Sequence, residues 1–134
     1  ILKKKKSIKK QLLEKNNLVE KNIAILGGST TSNIKLILEL FLLDYGIKPN
    51  FYESEYNQFW QDAMFDNKEL DEFKPDIIYI HTSYRNITNF PEITSDEESI
   101  NELLNMEFSK FYSMWETLKR KYMCPIIQNN FEYP

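Results

Sequence analysis

The chain of 134 residues has one cysteine, one histidine and three glycines. A lone Cys124 cannot close an internal disulfide, which fits a reducing, cytoplasmic compartment. Beside Pro125 it reads as a packing thiol, with no neighbour to activate it. One histidine and one cysteine cannot furnish a structural zinc site, so no metal is expected in this chain. Long hydrophobic runs are missing too, and with them any expectation of a membrane span. The longest apolar segment, Ile34 to Leu43, is interrupted by Lys35 and Glu39 and reads as a helix buried on most sides. Charge of one sign is not in excess: the net charge is −3, which gives no general attraction to nucleic acid.

What is present is an ordinary globular balance, with 42% hydrophobic and 28% charged residues, enough for one domain with a real core. Basic residues crowd one end, as Lys3, Lys4, Lys5, Lys6, Lys9 and Lys10. That cluster reads as the solvated side of a leading helix over residues 1–19, with Ile8, Leu12, Leu13 and Leu18 on its other side. Ile1 in place of an initiator methionine creates the expectation of a piece cut from something longer. Beyond the helix, strand-like and helix-like segments alternate. Ile23–Leu26 reads as a strand, Ser32–Tyr45 as a helix stopped by Gly46, and Phe51–Glu53 as a second strand. Tyr56–Phe65 and Lys68–Phe73 follow as loop and short helix. Asp76–Ile80 is a third strand and Ile126–Gln128 a fourth. Between those two strands, Asp96–Tyr122 carries apolar residues at Ile100, Leu104, Phe108, Phe111, Trp115, Leu118 and Tyr122, the spacing of one helix face. Such alternation predicts a three-layer α/β/α domain over residues 20–134, with a mostly parallel sheet. A parallel sheet needs both faces covered, so further protein, or another chain, is expected beyond Pro134.

The stretch Gly27-Gly28-Ser29-Thr30-Thr31-Ser32-Asn33 is the first candidate site. It leaves the carboxyl end of the first strand, where open α/β sheets place ligands. Glycines there let a backbone approach a ligand closely, and the hydroxyls and N–H groups at a helix start favour an anion. Gly27, Gly28, Ser29, Thr30, Thr31 and Asn33 are therefore anion-binding candidates, joined by Arg85 and Asn86 beyond the third strand. Ser29 is a candidate nucleophile, and His81 the single possible histidine base. Arg85 could equally pair with Glu92, Asp96 or Glu97 at the surface. Tyr56, Phe59 and Trp60 sit in an aromatic, acidic segment that suits either a protein-docking patch or core packing under a loop. Its acidic excess is no nucleic-acid signature.

The string I-L-G-G-S-T-T, ending at Thr31, resembles the first block of SGNH (GDSL-type) hydrolases, whose fold is flavodoxin-like and whose serine is the nucleophile. Gly28 stands where that block has aspartate, and the D-x-x-H that supplies the family's base does not occur here. A narrower resemblance joins several segments. I-A-I-L-G-G-S-T-T, Y-G-I-K-P-N-F-Y-E-S-E-Y-N-Q-F, F-K-P-D-I-I-Y-I-H-T-S-Y-R-N and P-I-I-Q-N-N-F resemble the N-terminal domain of FkbH-like proteins over residues 20–134. The resemblance implies a degenerate SGNH-like domain ahead of a HAD-superfamily (subfamily IIIC) domain that uses Mg. Family members load a glyceryl unit from a glycerate phosphate onto an acyl carrier protein. The acidic D-x-D motif of the HAD chemistry is not found among Asp62, Asp66, Asp71 and Asp76. The implied role is therefore binding and positioning, with the HAD domain and an acyl carrier protein as partners and a homodimer as a further expectation. An ester hydrolase built on Ser29 is the alternative.

Overall fold

The computed structural model describes residues 4–14 and 17–131. Helix α1 (Lys5–Leu13) leads into strand β1 (Val19–Gly27), helix α2 (Ser32–Asp44) and strand β2 (Ile47–Glu53). Two short helices follow, α3 (Phe59–Met64) and α4 (Lys68–Phe73), then strand β3 (Ile77–His81) and a 3-10 turn at Tyr84–Asn86. The long helix α5 (Glu97–Tyr122) and strand β4 (Ile126–Gln128) complete the order. All four strands are parallel, in the spatial order β2-β1-β3-β4. That is the flavodoxin-like arrangement, in which the chain reverses direction across the sheet beside β1.

The last five residues of β1 are buried without a break, because this strand lies between two neighbours and under helices on both faces. Ladder partners share a face, so Ala24, Leu26, Ile78 and Ile80 point one way. They pack with Phe59, Ala63, Leu70, Phe111, Met114 and Leu118 from α3, α4 and α5. The opposite face carries Ile23 and Ile25, and α2 packs over β2 on that side with α1 behind it. Over β3 and β4 this second face has no helix among the described residues, and Ile127 is exposed there. Three layers are present, with the second one half complete.

Several local expectations need adjusting. The leading helix stops at Leu13, Leu18 lies outside it, and residues 15–16 fall outside the described set. Lys9 pairs with Glu39 at 2.7 Å, so α1 is bound to α2 and is part of the same packed unit. Strand β2 begins four residues before Phe51 and contains Pro49. An edge strand tolerates proline because one side of its backbone has no ladder partner to satisfy. Helix α2 buries only Leu40 and Leu43, while Ile37 and Phe41 are exposed. It ends as expected, with Gly46 in the left-handed region at φ +81°.

The largest difference lies in α5. Phe111 and Leu118 are buried as the spacing predicts, but Ile100, Leu104 and Phe108 are exposed. The buried stripe is Glu107, Phe111, Met114 and Leu118. Two apolar stripes run side by side on this helix, and periodicity alone merges them. The helix start is capped by Asp96, whose carboxylate accepts from the Ser99 amide at 2.9 Å. Glu97 and Glu98 in the first turn and Lys119, Arg120 and Lys121 in the last complement its dipole.

Candidate functional site

The point where the sheet order reverses is where open α/β folds leave a crevice at the strand carboxyl ends. Here a cavity of about 340 Å³ opens between the turn after β1 and the turn after β3. Gly28 and Ser29 form one wall; Ser83, Tyr84, Arg85 and Asn86 form the other; Tyr56 and Asn57 close it from the segment after β2. Three segments that are far apart in sequence thus meet at one spot, with Arg85 the one charged side chain among them.

Asn86 organises the site. It is buried, its Nδ2 donates to the Gly28 carbonyl at 3.0 Å and to Asn57 Oδ1 at 3.2 Å, and its Oδ1 accepts from the Ser83 amide at 2.9 Å. Ser83 in turn caps the 3-10 turn, its hydroxyl accepting from the Arg85 amide at 3.3 Å. Asn57 takes a left-handed conformation, φ 59°, that an asparagine adopts more readily than bulkier residues. Gly28 is required by close approach: a Cβ there would lie 2.5 Å from the Asn86 amide. The close neighbour of this glycine is therefore a side chain of the protein itself. Gly27 is tight for a similar reason, since a Cβ would meet the Thr31 methyl at 2.8 Å.

The hydroxyl cluster divides. Ser29 is half-buried on the cavity wall, and its hydroxyl has no hydrogen-bond partner among the described residues. Thr31 is buried and donates to Glu53 Oε1 at 3.0 Å, while Lys35 pairs with the other oxygen of that carboxylate. Glu53 thus already places a negative charge beside the start of α2, which engages Thr31 away from the cavity. Thr30 and Asn33 are exposed and do not line the cavity.

His81 pairs with Gly27 in the ladder, and its Nδ1 lies 3.1 Å from the Tyr79 hydroxyl. The two rings are 5.9 Å apart, and His81 is not among the residues that line the cavity. Its backbone carbonyl, not its ring, reaches the turn, accepting from the Gly28 amide at 2.8 Å. Burial raises the Tyr79 hydroxyl above its ordinary value, so it stays a neutral partner for the imidazole at physiological pH. Ser29 has no base in hydrogen-bond contact with it, as an activated nucleophile requires. A fluorophosphonate probe should leave Ser29 unmodified in the folded protein; stoichiometric labelling by mass spectrometry would contradict that expectation.

Arg85 lies over the Tyr84 ring, 5.8 Å from its centroid, and donates from Nε to the Tyr84 hydroxyl at 3.4 Å. Of the three aromatics, Phe59 is buried in the core beneath α5, and Trp60 packs partly against that core with Lys110 5.9 Å from its ring. Core packing accounts for both. Tyr56 alone is presented to solvent, 74% exposed at the cavity rim.

Two buried polar features carry no signal in the local sequence pattern. The buried Glu107 accepts four hydrogen bonds from Thr88 and Asn89 and fastens the segment before α5. Thr82, fully buried after β3, receives a hydrogen bond from Gln128 Nε2 at 3.0 Å, and Gln128 Oε1 accepts from Trp115 at 2.6 Å. Among the described residues no group of three or more His, Cys, Asp or Glu side chains is placed to share a metal ion. Among the described residues no helix is long and apolar enough to cross a membrane.

Sheet order, layering and cavity position define an α/β domain of the doubly wound parallel class. No protein-family description matches the sequence, and no curated protein is similar to it. Among solved structures the chain resembles the N-terminal part of the protein BF1531 from Bacteroides fragilis, described as containing a phosphatase domain complexed with Mg. The TM-score is 0.72 at 18% identity, over 97% of this chain and 34% of that one. The likeness is one of fold, and the chain spans about a third of the length of its neighbour.

Proposed function

We propose that the chain is a binding and positioning module of a larger FkbH-like protein whose chemistry is carried out by a HAD-family phosphatase domain. Its cavity would hold an anionic group, either a phosphate or the phosphopantetheine arm of an acyl carrier protein. In that setting the parent loads a glyceryl unit from a glycerate phosphate onto the carrier thiol. The observation that carries the reading is the convergence of Ser29, Asn57, Ser83 and Asn86 around Arg85 at the reversal point of the sheet. The fold neighbour, itself described with a phosphatase domain, supports the larger context. Any Mg would belong to the phosphatase domain, since the acidic side chains described here form no shared ligand set.

In this reading Arg85 supplies charge, and its position over Tyr84 limits the directions its guanidinium can take. The Ser29 hydroxyl, with no partner among the described residues, donates to the bound oxygens. Tyr56 at the rim is the aromatic a carrier protein would meet first. Calorimetry with inorganic phosphate and with 4′-phosphopantetheine tests the assignment. Arg85→Ala should weaken binding by about tenfold or more, the worth of a charge-assisted contact. Ser29→Ala should weaken it by a smaller factor. Absent heats with the unaltered protein, or equal heats across the variants, would sink it.

A further inference from the structure

The outer flank of α5 is apolar, exposed and self-complementary. Leu104, Phe108 and Tyr112 are 64%, 57% and 50% exposed, although each is a large side chain on an ordered helix. They lie on the stripe 97-101-104-108-112-115-119, whose steps of three and four residues keep it on one side of the helix. The Phe108 ring stacks on Tyr112 with centroids 6.0 Å apart and meets Trp115 edge-on at 6.1 Å, so the aromatics form one surface. This flank points away from α3, which contacts α5 on its other side through Lys110 and Trp60. It continues into a groove of about 460 Å³ where Trp115 and Lys119 face Cys124, Pro125 and Ile126 beside the outer edge of β4, which pairs with no further strand among the described residues.

The ends of the stripe carry opposite charge. Glu97 stands at its start and Lys119 at its finish, both exposed and neither in an ion pair among the described residues. Reversing the stripe end for end about Phe108 sets Leu104 against Tyr112, Asn101 against Trp115, and Glu97 against Lys119. Phe108 then meets its own copy and Leu104 meets Tyr112, the polar Asn101 borders Trp115 outside that apolar centre, and each charge of the stripe meets its opposite. A two-fold symmetric interface demands this self-matching of a single surface, whereas a site for an unrelated protein does not. We propose that two copies of the chain associate through this flank, their α5 helices antiparallel and crossing at Phe108. The interface is separate from the cavity and stands whether or not that cavity binds an anion.

Sedimentation velocity over a range of concentrations gives the test. The unaltered chain should approach twice its 16.1 kDa mass as concentration rises. Phe108→Glu places two like charges on the symmetry axis and should raise the dissociation constant by about 30-fold or more. Because Phe108 is exposed in the single chain, the circular dichroism of that variant should be unchanged. Lys119→Glu should weaken association by about three- to tenfold, and adding Glu97→Lys to it should restore most of the loss. In a Cys124→Ser background, Phe108→Cys should form a disulfide-linked dimer under mild oxidation, because the two copies of this position adjoin. A chain that stays monomeric at every concentration overturns the proposal. So does a dimer indifferent to Phe108→Glu, which must use another surface.

Discussion

Replacing Glu107 with alanine should cost the fold about 2–3 kcal/mol and release residues 87–95 from the body of the domain. The side chain is 8% exposed, and its Oε1 accepts from the Thr88 hydroxyl and Asn89 Nδ2 at 2.7 Å each. The amides of Thr88 and Asn89 donate to the same oxygen at 3.3 and 3.1 Å. Oε2 is buried without a hydrogen bond, with Lys110 Nζ 3.8 Å away. Burial alone would raise this carboxyl; the bonds from Thr88 and Asn89 and the Lys110 charge outweigh it and hold the group below its usual range. A depressed value in the folded state means the ion stabilises the fold above the ordinary glutamate value of about 4.3. That contribution is lost as pH falls through the lower folded value. Glu107→Gln keeps the shape but not the charge, so it should cost less at neutral pH and flatten the acid limb of the stability curve. Urea unfolding from neutral to acid pH measures both. An alanine variant as stable as the parent throughout would refute the structural role.

The second large effect is expected at Gly28. Alanine there puts a Cβ 2.5 Å from the Asn86 amide and 2.6 Å from its Cγ. Asn86 cannot swing aside without giving up its bonds to the Gly28 carbonyl, Asn57 and the Ser83 amide. Overpacking of this kind costs about 2–3 kcal/mol. The diagnostic lies in the pair: Asn86→Ala alone loses the same network, so combining it with Gly28→Ala should cost clearly less than the two separate losses. A double-mutant cycle by chemical denaturation measures the coupling. Losses that add to within about 0.5 kcal/mol would show that Gly28 and Asn86 do not confront each other in solution.

Much of the architecture is legible along the chain, because strand and helix alternate and each parallel strand is a short apolar run. Gly46, Asp96 and Pro75 punctuate the elements where local rules place them. Other features are set by partners distant in sequence. The glycine pair at residues 27–28 reads as room for a ligand, yet the space at Gly28 is filled by a side chain 58 residues away. Glu107 occupies a core-facing position that a hydrophobic pattern counts as surface. Along α5 the spacing places Phe111 and Leu118 correctly but not Leu104 and Phe108, which are as apolar as Phe111 and Met114 and are distinguished only by the sheet beneath. Of the candidate residues, Gly28, Ser29, Arg85, Asn86 and Tyr56 meet at one cavity. Thr31, at the start of α2, is held by Glu53 at the end of β2, and His81 sits beside Tyr79, two residues earlier on the same face of β3.

The cavity walls are joined by β1 and β3, which pair across a stretch that includes all of β2 and the three helices α2, α3 and α4. Neither wall has its shape by itself: the turn at Gly28 is closed by the His81 carbonyl, and the turn at Ser83 is braced by Asn86 against Gly28. No local fragment of the chain can therefore display this pocket, and an early folding species lacking the β1–β3 ladder would be blind to any ligand. The Gly28 amide should exchange its hydrogen only in the rare global opening of the domain, which makes occupancy of the pocket a direct reporter of the intact fold.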